Sequence, residues 1–438
     1  MKHRDLSNPY YTYWRSFLSA SASWSRTRIV DYQLQELRRV VTWAYELTPA
    51  YRRRFDDAGV SPETLYHLSD IRLFPFLEKR HLRDGLEDHS VGLRGRYYRA
   101  TGGSTGVPVR MYHTPRAFGR ELASKAHQYQ RIGWKEGDRE LVMRGLVIPQ
   151  DSGIEFVEDL NTLRCSSYLL TPSYMERYYR AAKEFRPDWL RCYPSSGYVF
   201  AKFLEDRGYT LPVYGVLCAS EPLYEFQRVT FERVFSGARV FSHYGHYEMA
   251  ALAGYCEANS YRYHVLPHYG YVELLDEDDN PVVTKGQTGE IVATSFIMEA
   301  TPIIRYRTGD HATYWGPGCE MCSRPYQVWE NVDGRTQDYI VTRTGRHLTG
   351  TMLNDHDNTY DDLVQFQFYQ NEPGVVVFRY IPKLIPMSHG LGGLDAFLRR
   401  QLRRKLGDDV KLVLEKTDQI SRSVSGKHRF ILQESGVQ

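Results

Sequence analysis

Residues 189–244 read WLRCYPSSGYVFAKFLEDRGYTLPVYGVLCASEPLYEFQRVTFERVFSGARVFSHY. Three short runs in this stretch, 189–193, 213–218 and 239–244, have the length and apolar character of strands. Residues 199–204 and 226–235, between them, have helical spacing. Upstream, residues 141–143 read as one more strand and 174–184 as one more helix. Strands separated by helices of this length predict βαβ units, because parallel neighbours need a crossover of a dozen or more residues. Ligands of such sheets lie beyond the carboxyl ends of the strands.

Working outward, residues 29–47 place Leu34, Leu37, Val40, Val41, Ala44 and Leu47 at helical spacing, and Ser61-Pro62-Glu63 reads as a helix start. Between residues 270 and 305 the texture is all-β, with runs at 271–275 and 290–295 flanking the turn-rich DEDDNP of 276–281. Beyond Gly334 a separate module begins, with strands at 364–368, 375–381 and 410–414 and a basic helix at 394–406. The expected class is α/β. A large N-terminal domain (1–334) holds parallel-sheet αβ subdomains plus a β-rich subdomain, and a small α+β domain (335–438) follows.

Composition narrows the function. The 438 residues carry 56 basic and 53 acidic side chains, a formal net charge of +3, which argues against a nucleic-acid partner. No apolar run approaches the ~20 residues of a membrane helix. The opening MKHRDLSNPYYTYW has no apolar run behind its charges, so a cytoplasmic location is expected. The six cysteines are then expected to be thiols or metal ligands rather than a disulfide framework.

Five polar stretches carry chemistry. Residues 101–108, TGGSTGVP, lie between strand-like runs. Their glycines let the backbone approach a bulky anion, and Ser104 and Thr105 add hydroxyl donors. No lysine follows the last glycine, so this is not the NTPase P-loop. Residues 242–248, SHYGHYE, offer Glu248 as a carboxylate for Mg²⁺ and Tyr244 as a flat face for a base. In residues 304–310, IRYRTGD, Asp310 follows a glycine turn and suits vicinal ribose hydroxyls; a buried Arg–Asp pair is the competing reading. Residues 332–339, VDGRTQDY, mark the domain boundary. In residues 423–429, SVSGKHR, Lys427 can neutralise charge developing on a transferring phosphoryl group.

Taken together, TGGSTGVPV, Tyr193-Pro194-Ser195-Ser196, Ala219-Ser220-Glu221-Pro222-Leu223, YGHYE, IIRYRTGD, DGRTQD and SGKHRF resemble the adenylate-forming superfamily. That superfamily contains acyl-CoA synthetases, peptide-synthetase adenylation domains and luciferases, and the resemblance is to its phenylacetate–CoA ligase and capsule-biosynthesis branch. It runs from about Ile29 onward. It implies that Ser104, Thr105 and Gly106 bind the triphosphate, and that Ser220, Glu221 and Pro222 border the adenine, with Tyr244 stacking on it. Glu248 would help hold Mg²⁺. Asp310 would hold the ribose, with Arg335 nearby. Lys427, from a mobile C-terminal domain, would bridge the acid's carboxylate and the α-phosphate. Catalysis is thus laid on Lys427, Glu248 and Thr105. The acid would sit near Tyr193, Ser195, Tyr244 and Gly245, and Tyr193, Tyr244 and Tyr247 suit an aromatic one. Family members often carry Asp at the hinge position occupied here by Gln337, with Asp338 next.

Cys319-Glu320-Met321-Cys322 follows the turn Gly316-Pro317-Gly318 as a C-x-x-C knuckle suited to two thiolates on one Zn²⁺. The resemblance brings Cys256 and His264 alongside, with His268 the rival nitrogen donor. A closed four-ligand site would staple loops and not catalyse. Cys165, Cys192 and Cys218 read as buried apolar thiols. The function expected from all this is ATP-dependent conversion of a carboxylic acid to an acyl-adenylate, with pyrophosphate released. The acyl group then passes to CoA or another thiol. Transfer to an amine or other acceptor is the first alternative, and a non-catalytic nucleotide-binding scaffold the second.

Overall fold

A computed structural model describes residues 8–100, 109–146, 148, 151–258, 261–335, 339–345, 347–349, 353, 359–360, 362–383, 390–420 and 428–433. The chain packs into two compact units, Met1–Glu136 with Phe241–Val332, and Gly137–Val240 with Asp333–Gln438. No helix among the described residues is long and apolar enough to cross a membrane.

In the first unit, helix Arg26–Leu47 buries Ile29, Leu37, Val40, Val41 and Ala44, and the Ser25 hydroxyl caps it by accepting from the Arg28 N–H. The start signal at Ser61 yields a single 3₁₀ turn, Pro62–Thr64, and no α-helix; the Thr64 hydroxyl accepts from the Ser61 N–H as in a capping box. Helix Pro115–Gln130, capped by Thr114, packs on helix Pro9–Ala20, where Trp14 donates to Ser124 and stacks under Arg120. The expected β texture is present. Strands run in the order Gly270–Leu275, Thr288–Ser295, Tyr306–Gly316, Val328–Arg335, Tyr263–Val265, Leu252–Tyr255 and Arg239–Gly245.

In the second unit the strands Gly215–Ala219, Trp189–Cys192, Glu140–Arg144 and Thr162–Ser166 are parallel neighbours, and Ile154–Val157 closes the edge antiparallel. Helix Pro194–Arg207 starts on Pro194 and ends at Gly208 in the left-handed region, φ 63°. It lies so close to the sheet that a Cβ on Gly197 would come within 2.4 Å of Cys192 Sγ. Cys165, Cys192 and Cys218 are buried, and burial raises the thiols of Cys165 and Cys218.

The C-terminal module is a four-stranded sheet in the order Lys411–Lys416, Val375–Pro382, Leu363–Glu372 and Ile431–Gln433. Helix Gly390–Leu406 shares a core with it that includes Phe366, Phe378, Leu398 and Leu402. Within the second unit this module packs on residues 221–226. Tyr224 lies 4.5 Å from Phe430 between ring centroids, and Phe226 lies 5.3 Å from Phe366 and 5.5 Å from Tyr360. Lys383 Nζ sits 3.5 Å from Glu205 and 3.4 Å from Asp206. The first compact unit ends at Val332, and residues 137–240 share a unit with the tail rather than with residues 241–332.

Candidate active site and metal centre

Asp310 owes its position to a break in a ladder. Thr288–Ser295 and Tyr306–Gly316 pair antiparallel, but the register shifts between Glu290, opposite His311, and Val292, opposite Arg307. Thr308, Gly309 and Asp310 fill the shift as a bulge, which re-aims a side chain. Gly309 takes φ 74°, a conformation that favours glycine. The Thr308 hydroxyl ties the bulge down, donating to the Ile291 carbonyl at 2.7 Å and accepting from the Asp310 N–H at 3.0 Å. Tyr244 donates its hydroxyl to Asp310 Oδ2 at 2.9 Å. Burial first, then the Asp310 charge, raises Tyr244, so it stays a neutral donor.

The arginines of the same stretch are paired elsewhere. Arg305 makes a bidentate bridge of 3.0 Å arms to buried Glu273, and Arg307 meets Glu290 and Asp279. The two arginines of this stretch thus pair with other carboxylates, and Tyr244 is a hydroxyl donor to Asp310.

Glu248 is buried next to this group. Tyr306 donates to its Oε1 at 2.8 Å, and His246 Nδ1 lies 3.2 Å from its Oε2. Burial opposes the charged form, and the His246 and Tyr306 contacts outweigh it, holding the carboxyl at about 2. An ionised carboxylate in this position suits a hard cation, which takes oxygen ligands.

A second group forms in the other unit. Ser195 lies in the first turn of helix Pro194–Arg207, and both its N–H and its hydroxyl donate to Glu221, at 3.0 and 3.1 Å. The N–H of His428 donates to the same carboxylate at 2.8 Å. Ser220, Glu221 and Pro222 directly follow strand Gly215–Ala219, and Tyr193 follows Trp189–Cys192, so all four lie at carboxyl ends of parallel strands. Arg144, at the end of its own strand, donates to the Ser220 hydroxyl at 2.6 Å and lies over the Tyr193 ring. Sequence does not set it apart from the other arginines. Its only signal there is a charged residue closing the apolar run 141–143.

Cys256, His264, Cys319 and Cys322 come together with their ligand atoms all within 4.8 Å of one another. Cys256 Sγ and Cys319 Sγ are 3.8 Å apart, and Cys322 Sγ is 3.8 Å from His264 Nε2. Zn–S bonds of about 2.3 Å at tetrahedral angles place two sulfurs about 3.8 Å apart, so the donor set fits that ion. Burial, then the charge of Arg131, lowers His264 to about 3, which keeps the imidazole neutral and able to ligate. Glu257, held by Arg131 and Arg324, lies 3.9 Å from His264 Nδ1. His268 is elsewhere: its ring packs among Phe17, Trp24, Tyr32 and Tyr326.

No family model matches the chain. It is similar to the phenylacetate-coenzyme A ligase of Thermus thermophilus, 25% identical over 447 residues that cover 93% of this chain and 97% of the relative. It is likewise similar to the phenylacetate-coenzyme A ligase of Pseudomonas putida, 27% identical over 349 residues, 77% of each. Its fold matches a 2-hydroxyisobutyryl-CoA ligase solved in the postadenylation state with 2-HIB-AMP, at TM-score 0.75, 19% identity, 92% of this chain and 89% of that one. Over most of its length the chain is thus similar in sequence to phenylacetate-coenzyme A ligases, and it shares the fold of a CoA ligase.

Of the superfamily motif residues, Tyr193, Ser195, Ser220, Glu221, Pro222, Tyr244, Gly245, Glu248 and Asp310 are described, and Arg335 ends strand Val328–Arg335. Ser104, Thr105, Gly106, Gln337, Asp338 and Lys427 lie outside the described residues. Strands Tyr97–Ala100 and Arg110–His113 pair antiparallel.

Proposed function

We propose that this adenylate-forming protein uses ATP to activate a carboxylic acid and then passes the acyl group to a thiol, CoA first among them. In the first half-reaction a carboxylate oxygen of the acid attacks the α-phosphate of ATP, and pyrophosphate leaves. In the second, the acceptor attacks the acyl carbon and AMP leaves. The observation that carries the reading is the sharing of Glu221: Ser195 and the N–H beside Lys427 both bind it. One carboxylate thereby gathers the tail motif, the adenine-bordering segment and the first turn of the helix behind Tyr193.

The roles follow from the chemistry of each group. Asp310, steadied by Tyr244, holds the ribose hydroxyls, with Arg335 nearby. Ser220, Glu221 and Pro222 border the base. Ser104, Thr105 and Gly106 receive the phosphates, and Glu248 helps hold Mg²⁺, which neutralises them. Lys427 comes in from the C-terminal module to bridge the carboxylate and α-phosphate, so the protein's part is positioning and electrostatics. Rotation of that module between the half-reactions, about residues 335–338, would admit the acceptor. The Cys256–His264–Cys319–Cys322 set holds a structural zinc with no open position.

The test is pyrophosphate release over a panel of aryl, fatty and amino acids, with CoA and with amines as acceptors. Release with at least one acid is expected, followed by thioester formation with CoA. Amide formation without thioester would replace CoA by an amine. ATP binding without turnover of any acid would leave a nucleotide-binding scaffold in place of an enzyme. In the active pair, Lys427→Ala should lower acid-dependent pyrophosphate exchange by on the order of 100-fold or more, while a supplied acyl-adenylate still reacts with the acceptor. Undiminished exchange removes Lys427 from the chemistry.

A further inference from the structure

The guanidinium of Arg144 lies 4.9 Å over the Tyr193 ring while donating to the Ser220 hydroxyl at 2.6 Å. Its backbone is fixed too, its carbonyl accepting from the N–H groups of Leu146 and Ser167 at 2.7 and 2.9 Å. Other arginines of this sheet have carboxylate partners: Arg139 has Asp188, Arg164 has Glu155 and Arg191 has Glu140. Arg144 forms no ion pair among the described residues.

Its surroundings are the carboxyl rim of the parallel strands, where open sheets hold their ligands. Tyr193, Ser167 and Ser220 each follow directly on a strand of that sheet. Ser220 takes φ 73°, a backbone strain that a non-glycine residue keeps only where its surroundings hold it, and such strain gathers at ligand sites. A guanidinium presents five N–H donors in a planar fork, and Ser220 engages one nitrogen. Held on an aromatic face, the rest of the fork loses little freedom when an anion arrives.

We propose that Arg144 selects the acid. The substrate carries, besides the carboxylate that is activated, a second anionic group, of which a carboxylate is the simplest, and Arg144 binds that group. The inference rests on the carboxylate-activating reading above and narrows it. A purely apolar acid would set a neutral surface against the guanidinium and gain no charge-assisted hydrogen bond from it.

Pyrophosphate release with matched acid pairs that differ by one carboxylate tests this: pentanoate against glutarate, benzoate against isophthalate, phenylacetate against 4-carboxyphenylacetate. The dianionic member of at least one pair is expected to be favoured by on the order of 10- to 100-fold in kcat/KM. Arg144→Met should bring that ratio to near unity and Arg144→Lys should restore part of it, whatever loss of the Ser220 contact does to KM for ATP. A neutral preference in every pair overturns the assignment and leaves the ligase standing. So does an Arg144→Met variant that raises KM for ATP and keeps the ratio. Absence of release with every acid, charged or neutral, overturns the ligase reading and this inference with it.

Discussion

At the scale of single residues, the site works by giving each charged group a neutral hydroxyl donor. Asp310 receives Tyr244, and Glu248 receives Tyr306. Each tyrosine fixes a carboxylate without neutralising it, which an arginine would do. Tyr244→Phe removes one such bond and keeps the ring against Trp329, 5.9 Å away between centroids. The expected result is a rise of about tenfold in KM for ATP, the size of one hydrogen bond to a charged group, with kcat changed less. Steady-state kinetics with ATP varied would show it, and an unchanged KM would separate Tyr244 from nucleotide binding. Tyr244, Glu248 and Asp310 were legible in the sequence because they sit in short strings whose glycines fix the backbone. Arg144 was not, since a sequence does not say whether an arginine has found its carboxylate.

At the scale of elements, the cysteine–histidine set adds the segment after Tyr306–Gly316 to strands that already pair, Leu252–Tyr255 with Tyr263–Val265 and Tyr263–Val265 with Val328–Arg335. Cys256 follows strand Leu252–Tyr255, His264 lies in Tyr263–Val265, and Cys319 and Cys322 lie between Tyr306–Gly316 and Val328–Arg335. Purified protein should contain about one zinc per chain. Cys319→Ser with Cys322→Ser should lose the metal and lower Tm by on the order of 5 °C or more. Metal analysis and thermal melts decide it, and a double variant that keeps full zinc would point to other ligands. The C-x-x-C was visible in sequence, and the choice of His264 over His268 was not. Both histidines are buried, and only the pairing of Tyr263–Val265 with Leu252–Tyr255 puts His264 beside Cys256. Helix Pro115–Gln130 escaped sequence reading for a related reason: Arg120, Glu121, Ser124, His127 and Gln128 are all buried in it, which hides the apolar period.

At the scale of the whole molecule, the second unit joins the parallel sheet to the tail module through the aromatic contacts of Tyr224 and Phe226 and through a charged cluster. In that cluster Glu205 meets Lys202, Arg233 and Lys383. Burial opposes its charge, and the contacts with Arg233 and Lys202 outweigh it, holding the carboxyl at about 2 against an ordinary 4.5. A carboxyl lowered in the folded state adds stability that is complete above its unfolded value and fades as pH falls toward the folded one. The stability difference between wild type and Glu205→Gln should therefore be level above about pH 5, on the order of 2 kcal/mol, and shrink toward pH 2. Urea midpoints measured from pH 7 downward test it, and a difference that grows with acid would reverse the sign of the argument. The sequence by itself determined the alternation of strands and helices, the β texture of residues 270–305, and the glycine-rich strings that carry the chemistry. These depend on periodicity and backbone freedom, which are local. Tertiary structure alone decided which carboxylate meets which hydroxyl, which histidine lies with the cysteines, that Arg144 meets Ser220 and Tyr193, and that residues 137–240 share a unit with the tail. Those outcomes depend on partners distant along the chain, brought together only when burial makes an unpaired charge or an unbonded polar group costly.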